Sequence, residues 1–444
     1  MLGRVHGLLD DPIVTISTPR GRGAIGIVRI SGSGPQVDAL LHHLIGAPAQ
    51  RLVDRQLQLV TVRIAGAVLD RGLVVRFFGP RTYTGQDVAE LHLHGNPVLL
   101  TQVVEALQDA GARAARPGEL TRRAVQNGRL SLLDAEGVDA LIRAPGRAAV
   151  QLAARQLGGE LTQRLERWRD DLLTVAVALE AAVDFPEDVD EADIAQDLAR
   201  LVALATSMAR LADTARSGRL LLAGVRVVLT GPVNAGKSTL FNALLGHDRS
   251  IVSPRPGTTR DLVAESVEWD GVVYRLEDTA GLRQAADPIE AEGVERTGRA
   301  VEQADVVVVV RDGRAVEGPA SGVGVATHAD LLDESTRSRL LGGGWLLVAT
   351  PQGAGLDAVQ EAITAAAGAS AVATQDVVLT TVRQGQALSE AVAALDDAIT
   401  AGAEEVVLSA VAVRRAGRAL EELIGAWPEE RVLDELFSRF CIGK

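Results

Sequence analysis

Aromatic side chains are scarce in this 444-residue chain, at 3 % of residues. With 47 % of residues hydrophobic, the cores must be built from alanine, leucine and valine. Cysteine occurs once, at Cys441, which excludes an intramolecular disulfide and suits a reducing compartment, so a cytoplasmic setting is expected. No apolar run approaches the roughly eighteen residues of a membrane span. Residues 1–11 lack an apolar h-region, and the paired aspartates Asp10 and Asp11 speak against a transit peptide, so no leader is expected. Excess positive charge is also missing. A net charge of −13 excludes a bulk electrostatic hold on nucleic acid, so RNA contact requires a local patch or a basic partner. Lysine is nearly absent: of 45 basic residues only Lys237 and Lys444 are lysine. Arginine replaces lysine well on a solvated surface and badly where a compact ammonium is needed. Lys237 sits inside a phosphate-binding motif.

The length fits two or three domains. The N-terminal part reads as β-rich with some helix. Ile13–Ile16, Ile25–Ile30, Leu59–Ile64 and Leu73–Phe78 are short β-branched runs, while 97–110 and 118–127 carry helical spacing. After Asn127-Gly128, Ser131-Leu-Leu-Asp134 reads as a capping box that opens another helix. From about 147 to 217 the chain is Ala/Leu/Arg-rich and helical, interrupted by the acidic stretch Asp184–Asp193, read as a solvated connection. Continuous apolar runs at Val225–Leu229, Val306–Val310 and Leu346–Val348 then suit a parallel sheet buried on both faces. Val263–Trp269 and Val272–Leu276 flank Asp270-Gly271, a hairpin signal. Helical pattern returns at 384–400, 404–426 and 429–440. The expected fold is multidomain: a β-rich α+β N-terminal domain (1–117), a helical domain in two parts (118–220 and 373–444), and an α/β P-loop GTPase domain (221–372) inserted into it.

Gly231-Pro-Val-Asn-Ala-Gly236-Lys237-Ser238 follows a strand and opens a helix at Thr239. Its glycines let backbone N–H groups face phosphates, Lys237 can reach the β/γ-phosphates, and Ser238 can ligate Mg²⁺. Asn234, Ala235, Gly236, Lys237, Ser238 and Thr239 are the expected GTP contacts of this loop. A switch segment follows, with Ser253, Pro254, Arg255, Pro256, Gly257, Thr258 and Thr259, the last able to complete the metal shell. Asp278-Thr279-Ala280-Gly281 comes after the next strand, where a carboxylate can hold the Mg²⁺ shell and a glycine amide can touch the γ-phosphate. Thr327-His328-Ala-Asp330 stands where guanine readers carry Asn-Lys-x-Asp. Asp330 can accept from the N1–H and exocyclic amine of guanine, a pattern that adenine does not offer. Ala349-Thr350-Pro351 fits the loop that backs the base. Two departures weaken the expected guanine affinity: Thr327-His328 forfeits the Asn bonds and the Lys stem, and the stretch from Val310 to Val323 is too short for a crossover helix.

Asn234 together with Gly257-Thr-Thr-Arg-Asp261 resembles the potassium-activated GTPases of the MnmE, Era and Der group. Pro19-Arg-Gly-Arg-Gly-Ala-Ile-Gly-Ile-Val-Arg-Ile-Ser-Gly32 resembles the N-terminal signature of the MnmE (TrmE) family. Tyr83–Gly95 and Ala115-Arg-Pro-Gly-Glu119 are similar to its next two blocks, and Cys441-Ile-Gly-Lys444 to its C-terminal tetrapeptide. The resemblance spans nearly the whole chain. It implies a folate-binding, dimerising N-terminal domain and a homodimer that joins an FAD-dependent MnmG/GidA-type partner in a heterotetramer. Together they modify the wobble uridine of tRNAs with an aminomethyl-type group, taking the carbon from a tetrahydrofolate. Folate contacts carry over to Arg29, Glu90, Arg129 (where the family has lysine) and Lys444. Potassium ligation carries over to Asn234, Ser253, Arg255 and Thr258.

The motif residue after Gly281 is Leu282, which cannot orient a water as the glutamine of Ras-like GTPases does. Glu290 stands where the MnmE pattern places its catalytic glutamate. Cys441 has two readings, a nucleophile or a small residue beside the folate. His92 and His94 share a strand face and suggest a metal only if a third ligand joins them. A GTP-driven switch in ribosome assembly shares the G domain but leaves the N-terminal glycine block and Cys-Ile-Gly-Lys without a role. A non-catalytic protein of the same fold is the third reading.

Overall fold

In the computed structural model, the chain separates into two compact units that each hold a six-stranded sheet, residues 1–139 with 424–444 and residues 140–423. The structure describes residues 11–185, 187, 191–247, 264–278, 298–373, 375, 377–425, 437 and 440.

The first unit is built on strands β1 (Ile13–Ile16), β2 (Ile25–Gly32), β3 (Gln58–Ile64), β4 (Ala67–Phe77), β5 (Asp87–His94) and β6 (Arg113–Ala114), in the order β3-β4-β5-β2-β1-β6. Helices α1 (Gly34–Ile45) and α2 (Pro97–Asp109) pack their apolar residues into the same core. Period-two alternation decides which side chains face them. Ala89, Leu91 and Leu93 of β5 join Val28 and Ile30 of β2 in that core. Arg29, Glu90, His92 and His94 therefore point to the opposite face. Two further helices follow, α3 (Glu119–Gln126) and α4 (Leu132–Arg143). The capping box forms as expected: Asp134 N–H donates to Ser131 Oγ at 3.0 Å, and Ser131 N–H to Asp134 Oδ2 at 2.9 Å.

The second unit begins with α5 (Arg147–Leu157), α6 (Glu160–Asp184), α7 (Glu191–Ala212) and α8 (Ala215–Ala223). Strand β7 (Val225–Thr230) and helix α9 (Lys237–His247) open the α/β layer, followed by β8 (Ala264–Trp269), β9 (Val272–Asp278), β10 (Val306–Asp312) and β11 (Val323–Thr327). Helix α10 (Glu334–Gly342), strand β12 (Leu346–Leu347) and helix α11 (Leu356–Ala367) complete it. The sheet runs β12-β11-β10-β7-β9-β8, parallel except for β8. The β8–β9 turn places Asp270 and Gly271 at φ of 51° and 81°, the left-handed pair of a type I′ hairpin. Between Asp312 and Val323 lies only a 3₁₀ turn, Gly313–Ala315, so the crossover helix is indeed missing. The chain then returns to helix in α12 (Val382–Ala401) and α13 (Val406–Ile424). Polar contacts pin the return: Gln156 Nε2 donates to Thr380 Oγ1 at 2.6 Å, and Leu379 N–H to Thr214 Oγ1 at 3.0 Å. The α/β layer thus sits between two helical stretches in sequence, as an insertion does. The helix expected over 429–440 lies outside the described residues apart from Phe437 and Phe440, which pack on Leu132 and Ala135.

Candidate functional site

Strand β7 is flanked by β9 and β10, so the loop leaving its end emerges at the middle of the sheet. Ligands of open α/β sheets bind at this carboxyl edge. The loop turns back across β10 so closely that a Cβ on Gly231 would lie 2.0 Å from the Val310 carbonyl oxygen, at a φ of 148°. Only glycine fits there. Asn234 takes a left-handed conformation, φ 58°, which its short polar side chain tolerates, and its side chain is exposed.

Lys237 is 6 % exposed, and its Nζ donates to the carbonyl oxygens of Gly231 at 3.0 Å and Pro232 at 2.7 Å. The ammonium is therefore held over the loop that carries the phosphate-facing amides. Ser238, in the first turn of α9, donates from Oγ to Oδ2 of Asp278 at 2.6 Å. Asp278 is the last residue of β9 and is buried. A hydroxyl and a carboxylate from separate elements converge here as hard oxygen donors, the chemistry that suits Mg²⁺. The remaining phosphate-side predictions, Ser253 to Thr259, Thr279, Ala280, Gly281 and Glu290, lie outside the described residues.

The base side is assembled at the end of β11. Thr327 is buried, and its Oγ1 lies 2.9 Å from the Ala235 carbonyl oxygen in the phosphate loop. The hydroxyl therefore reaches the phosphate loop from the position where the guanine-reading motif has asparagine. His328 has a φ of 58°, and its Nδ1 lies 3.1 Å from Thr327 Oγ1 and 3.5 Å from Asp312 Oδ2. Arg314 donates to the Asp312 carboxylate and holds its pKa down to about 2, so Asp312 is anionic throughout the physiological range. Asp312 carries no spacing signal in the sequence, and it stands beside His328 because it is the register partner of Thr327 across β10 and β11. Asp330 is exposed on the 3₁₀ turn Ala329–Leu331. Ala329 N–H donates to the Val348 carbonyl at 3.1 Å, which joins this turn to the segment carrying Ala349, Thr350 and Pro351. Thr327, His328, Asp330 and the base-backing loop are therefore brought together with the phosphate loop.

A second cluster occupies the sheet face of the first unit. Arg29 and Glu90 are register partners on β2 and β5, and the Arg29 Nε and Nη2 both lie 2.8 Å from Glu90 Oε1. His92 Nε2 lies 3.0 Å from the other oxygen. Tyr83 lies under the guanidinium, its ring centre 6.0 Å away, and its hydroxyl bonds Thr121 Oγ1 at 2.8 Å. Burial pushes the Tyr83 pKa up, so the phenol stays protonated. Arg129 donates from Nε to the Thr82 carbonyl at 3.2 Å, one residue from Tyr83. Three predicted residues thus gather round the 82–83 turn. Lys444 and Cys441 lie outside the described residues. His94 pairs with Asp70 instead of sharing a partner with His92, and among the described residues no group of three His, Cys, Asp or Glu can hold a metal ion.

A family model described as the GTP-binding protein TrmE N-terminus matches residues 12–129, and one for the MnmE helical domain matches residues 132–441. The chain is 40 % identical over 450 residues to the tRNA modification GTPase MnmE of Azoarcus sp., covering 98 % of each chain. It is 43 % identical over 450 residues to the protein of the same name from Methylobacterium sp., covering 98 % of this chain and 100 % of that one. Among solved structures, the G domain of the T. maritima FeoB iron transporter matches 32 % of this chain and 98 % of its own, at 26 % identity and a TM-score of 0.24.

Proposed function

The chain belongs to the MnmE family of tRNA modification GTPases, and from that premise we propose a potassium-activated GTP hydrolase that modifies the tRNA wobble uridine with a folate-borne carbon. The observation that carries the reading is the convergence of Lys237, Ser238, Asp278 and the Thr327–Asp330 turn on one loop. Lys237 stabilises charge on the β/γ-phosphates, and Asp330 reads the guanine edge. We assign Ser238 and Thr259 as Mg²⁺ ligands, with the Asp278 carboxylate holding the metal's shell, a role that its bond to Ser238 supports. Magnesium, when bound, neutralises phosphate charge and orients the leaving group. We assign nucleotide contacts to the remaining loop and switch residues named above, and the hydrolytic glutamate to Glu290.

Asn234 is the described member of the proposed potassium set, with Ser253, Arg255 and Thr258 as its companions. A monovalent cation there supplies the positive charge that an arginine supplies in other GTPases. Hydrolysis is accordingly expected to run faster in potassium than in sodium at equal ionic strength, on the order of tenfold. Asn234→Ala is expected to abolish the difference. Equal rates in the two salts for the unaltered chain would remove the cation from the reading.

In the first unit, Glu90 offers a carboxylate oriented by Arg29 and His92, which suits the amine and N–H edge of a pterin. Arg129 and Lys444 are assigned to the folate as well, and Cys441 is assigned either a catalytic role as a nucleophile or that of a small residue beside the folate. A tetrahydrofolate, when bound, supplies the one-carbon unit. We propose further that the chain forms a homodimer and joins an FAD-dependent MnmG/GidA-type partner in a heterotetramer in the cytoplasm. Residues 1–117, 118–220 with 373–444, and 221–372 are proposed as folate, helical and G domains. Among the described residues, no helix is long and apolar enough to cross a membrane. The test is mass spectrometry of wobble uridines from cells that lack the chain, which should lose the C5 aminomethyl-type group. Cells carrying Glu90→Gln should lose the same group, and the purified variant should lose folate binding. Full modification in either strain would overturn the proposal.

A further inference from the structure

The side chain of Thr327 is placed where two parts of a nucleotide site have to be kept at a fixed spacing. It is 2 % exposed, and Oγ1 has three polar neighbours: the carbonyl oxygens of Ala235 at 2.9 Å and Arg311 at 3.1 Å, and His328 Nδ1 at 3.1 Å. The methyl group faces the same loop one residue on, where a side chain on Gly236 would meet it, since a Cβ there would lie 3.2 Å from Thr327 Cγ2. The hydroxyl can donate to either carbonyl oxygen, and that of Ala235 is the nearer. His328 Nδ1, which also faces Asp312, donates to the hydroxyl oxygen or accepts from it according to the ring's tautomer.

We infer that Thr327 is a positioning residue for the nucleotide, tying the strand end that leads to Asp330 onto the phosphate loop through the Ala235 carbonyl. The inference rests on the guanine-nucleotide reading of the site. A ligand that must satisfy phosphate amides and a base-reading carboxylate together binds best when the two are preorganised at the right separation. Within hydrogen-bonding side chains, a short hydroxyl on a β-branched residue suffices because β11 brings its Cβ against the loop.

The test measures GDP affinity by fluorescent-analogue titration on the full chain, beside the thermal midpoint without nucleotide. Thr327→Val keeps the shape and deletes the hydroxyl, and it is expected to weaken GDP about tenfold by leaving a buried carbonyl without its donor. Thr327→Ser restores the hydroxyl and is expected to stay within about twofold of the unaltered chain. If the valine variant does not fold, Thr327→Ala against Thr327→Ser poses the same question. A valine or alanine variant that melts earlier yet binds GDP normally would overturn the inference, as would a serine variant as weak as valine. Failure of the unaltered chain to bind GDP would instead strike the guanine-nucleotide reading itself.

Discussion

Lys237→Arg is expected to lower GTP turnover about 10²–10³-fold, close to the loss from Lys237→Ala, although it preserves the positive charge. The expectation runs against composition, because this chain tolerates arginine at nearly every basic position and keeps lysine at only two. What distinguishes position 237 is confinement. Its ammonium is folded back over the loop, within 3.0 Å of one carbonyl oxygen and 2.7 Å of the next. A guanidinium is a wider planar fork with fixed donor directions, and it cannot occupy the same point without pushing on Gly231. Gly231 itself has no room to yield, since its backbone already abuts Val310. The measurement is single-turnover hydrolysis at saturating GTP and magnesium, with GDP affinity determined separately. An arginine variant within about tenfold of the unaltered chain would show that charge, not shape, is what the position requires.

The parts of the site that were legible in the sequence are those in which neighbouring residues act together. The phosphate loop is one continuous segment, and its glycines and lysine announce a backbone that must approach an anion. The Ser131–Asp134 cap and the Asp270-Gly271 turn are equally local, and both form as expected. Arg29 and Glu90 lie 61 positions apart and carry no spacing signal, and only the family resemblance drew them out. The tether from Thr327 to Ala235 spans 92 positions and depends on β11 ending beside the loop. Read as a string, Thr327 is merely a lost asparagine. The role of Asp312 was hidden for a related reason, since only the β10–β11 pairing sets it opposite Thr327 and next to His328. The left-handed turn at Ala65-Gly66 also escaped notice, so the long strand β4 was read from its second half alone.

The same distinction between local and assembled chemistry bears on how the attacking water is activated. Asp278 ends β9 with its carboxylate on Ser238, so the metal-side geometry is fixed before the chain enters the switch. Leu282, four residues on, offers no group that can hold a water or take its proton. Turnover therefore needs a polar side chain from further along, and residues 283–295 supply Gln284, Asp287, Glu290 and Glu292. These positions lie outside the described residues, so the choice rests on chemistry and on the family pattern. A carboxylate polarises a water better than an amide, which favours glutamate over Gln284. Family resemblance selects Glu290 over Glu292. Glu290→Ala is therefore expected to slow the hydrolytic step about 10²-fold, the scale of a lost positioned base, with little change in GDP affinity. Gln284→Ala is expected to hydrolyse at nearly the original rate. Single-turnover hydrolysis in saturating potassium separates the two. An unaltered rate in Glu290→Ala, or an equal defect in Gln284→Ala, would assign the water to another residue.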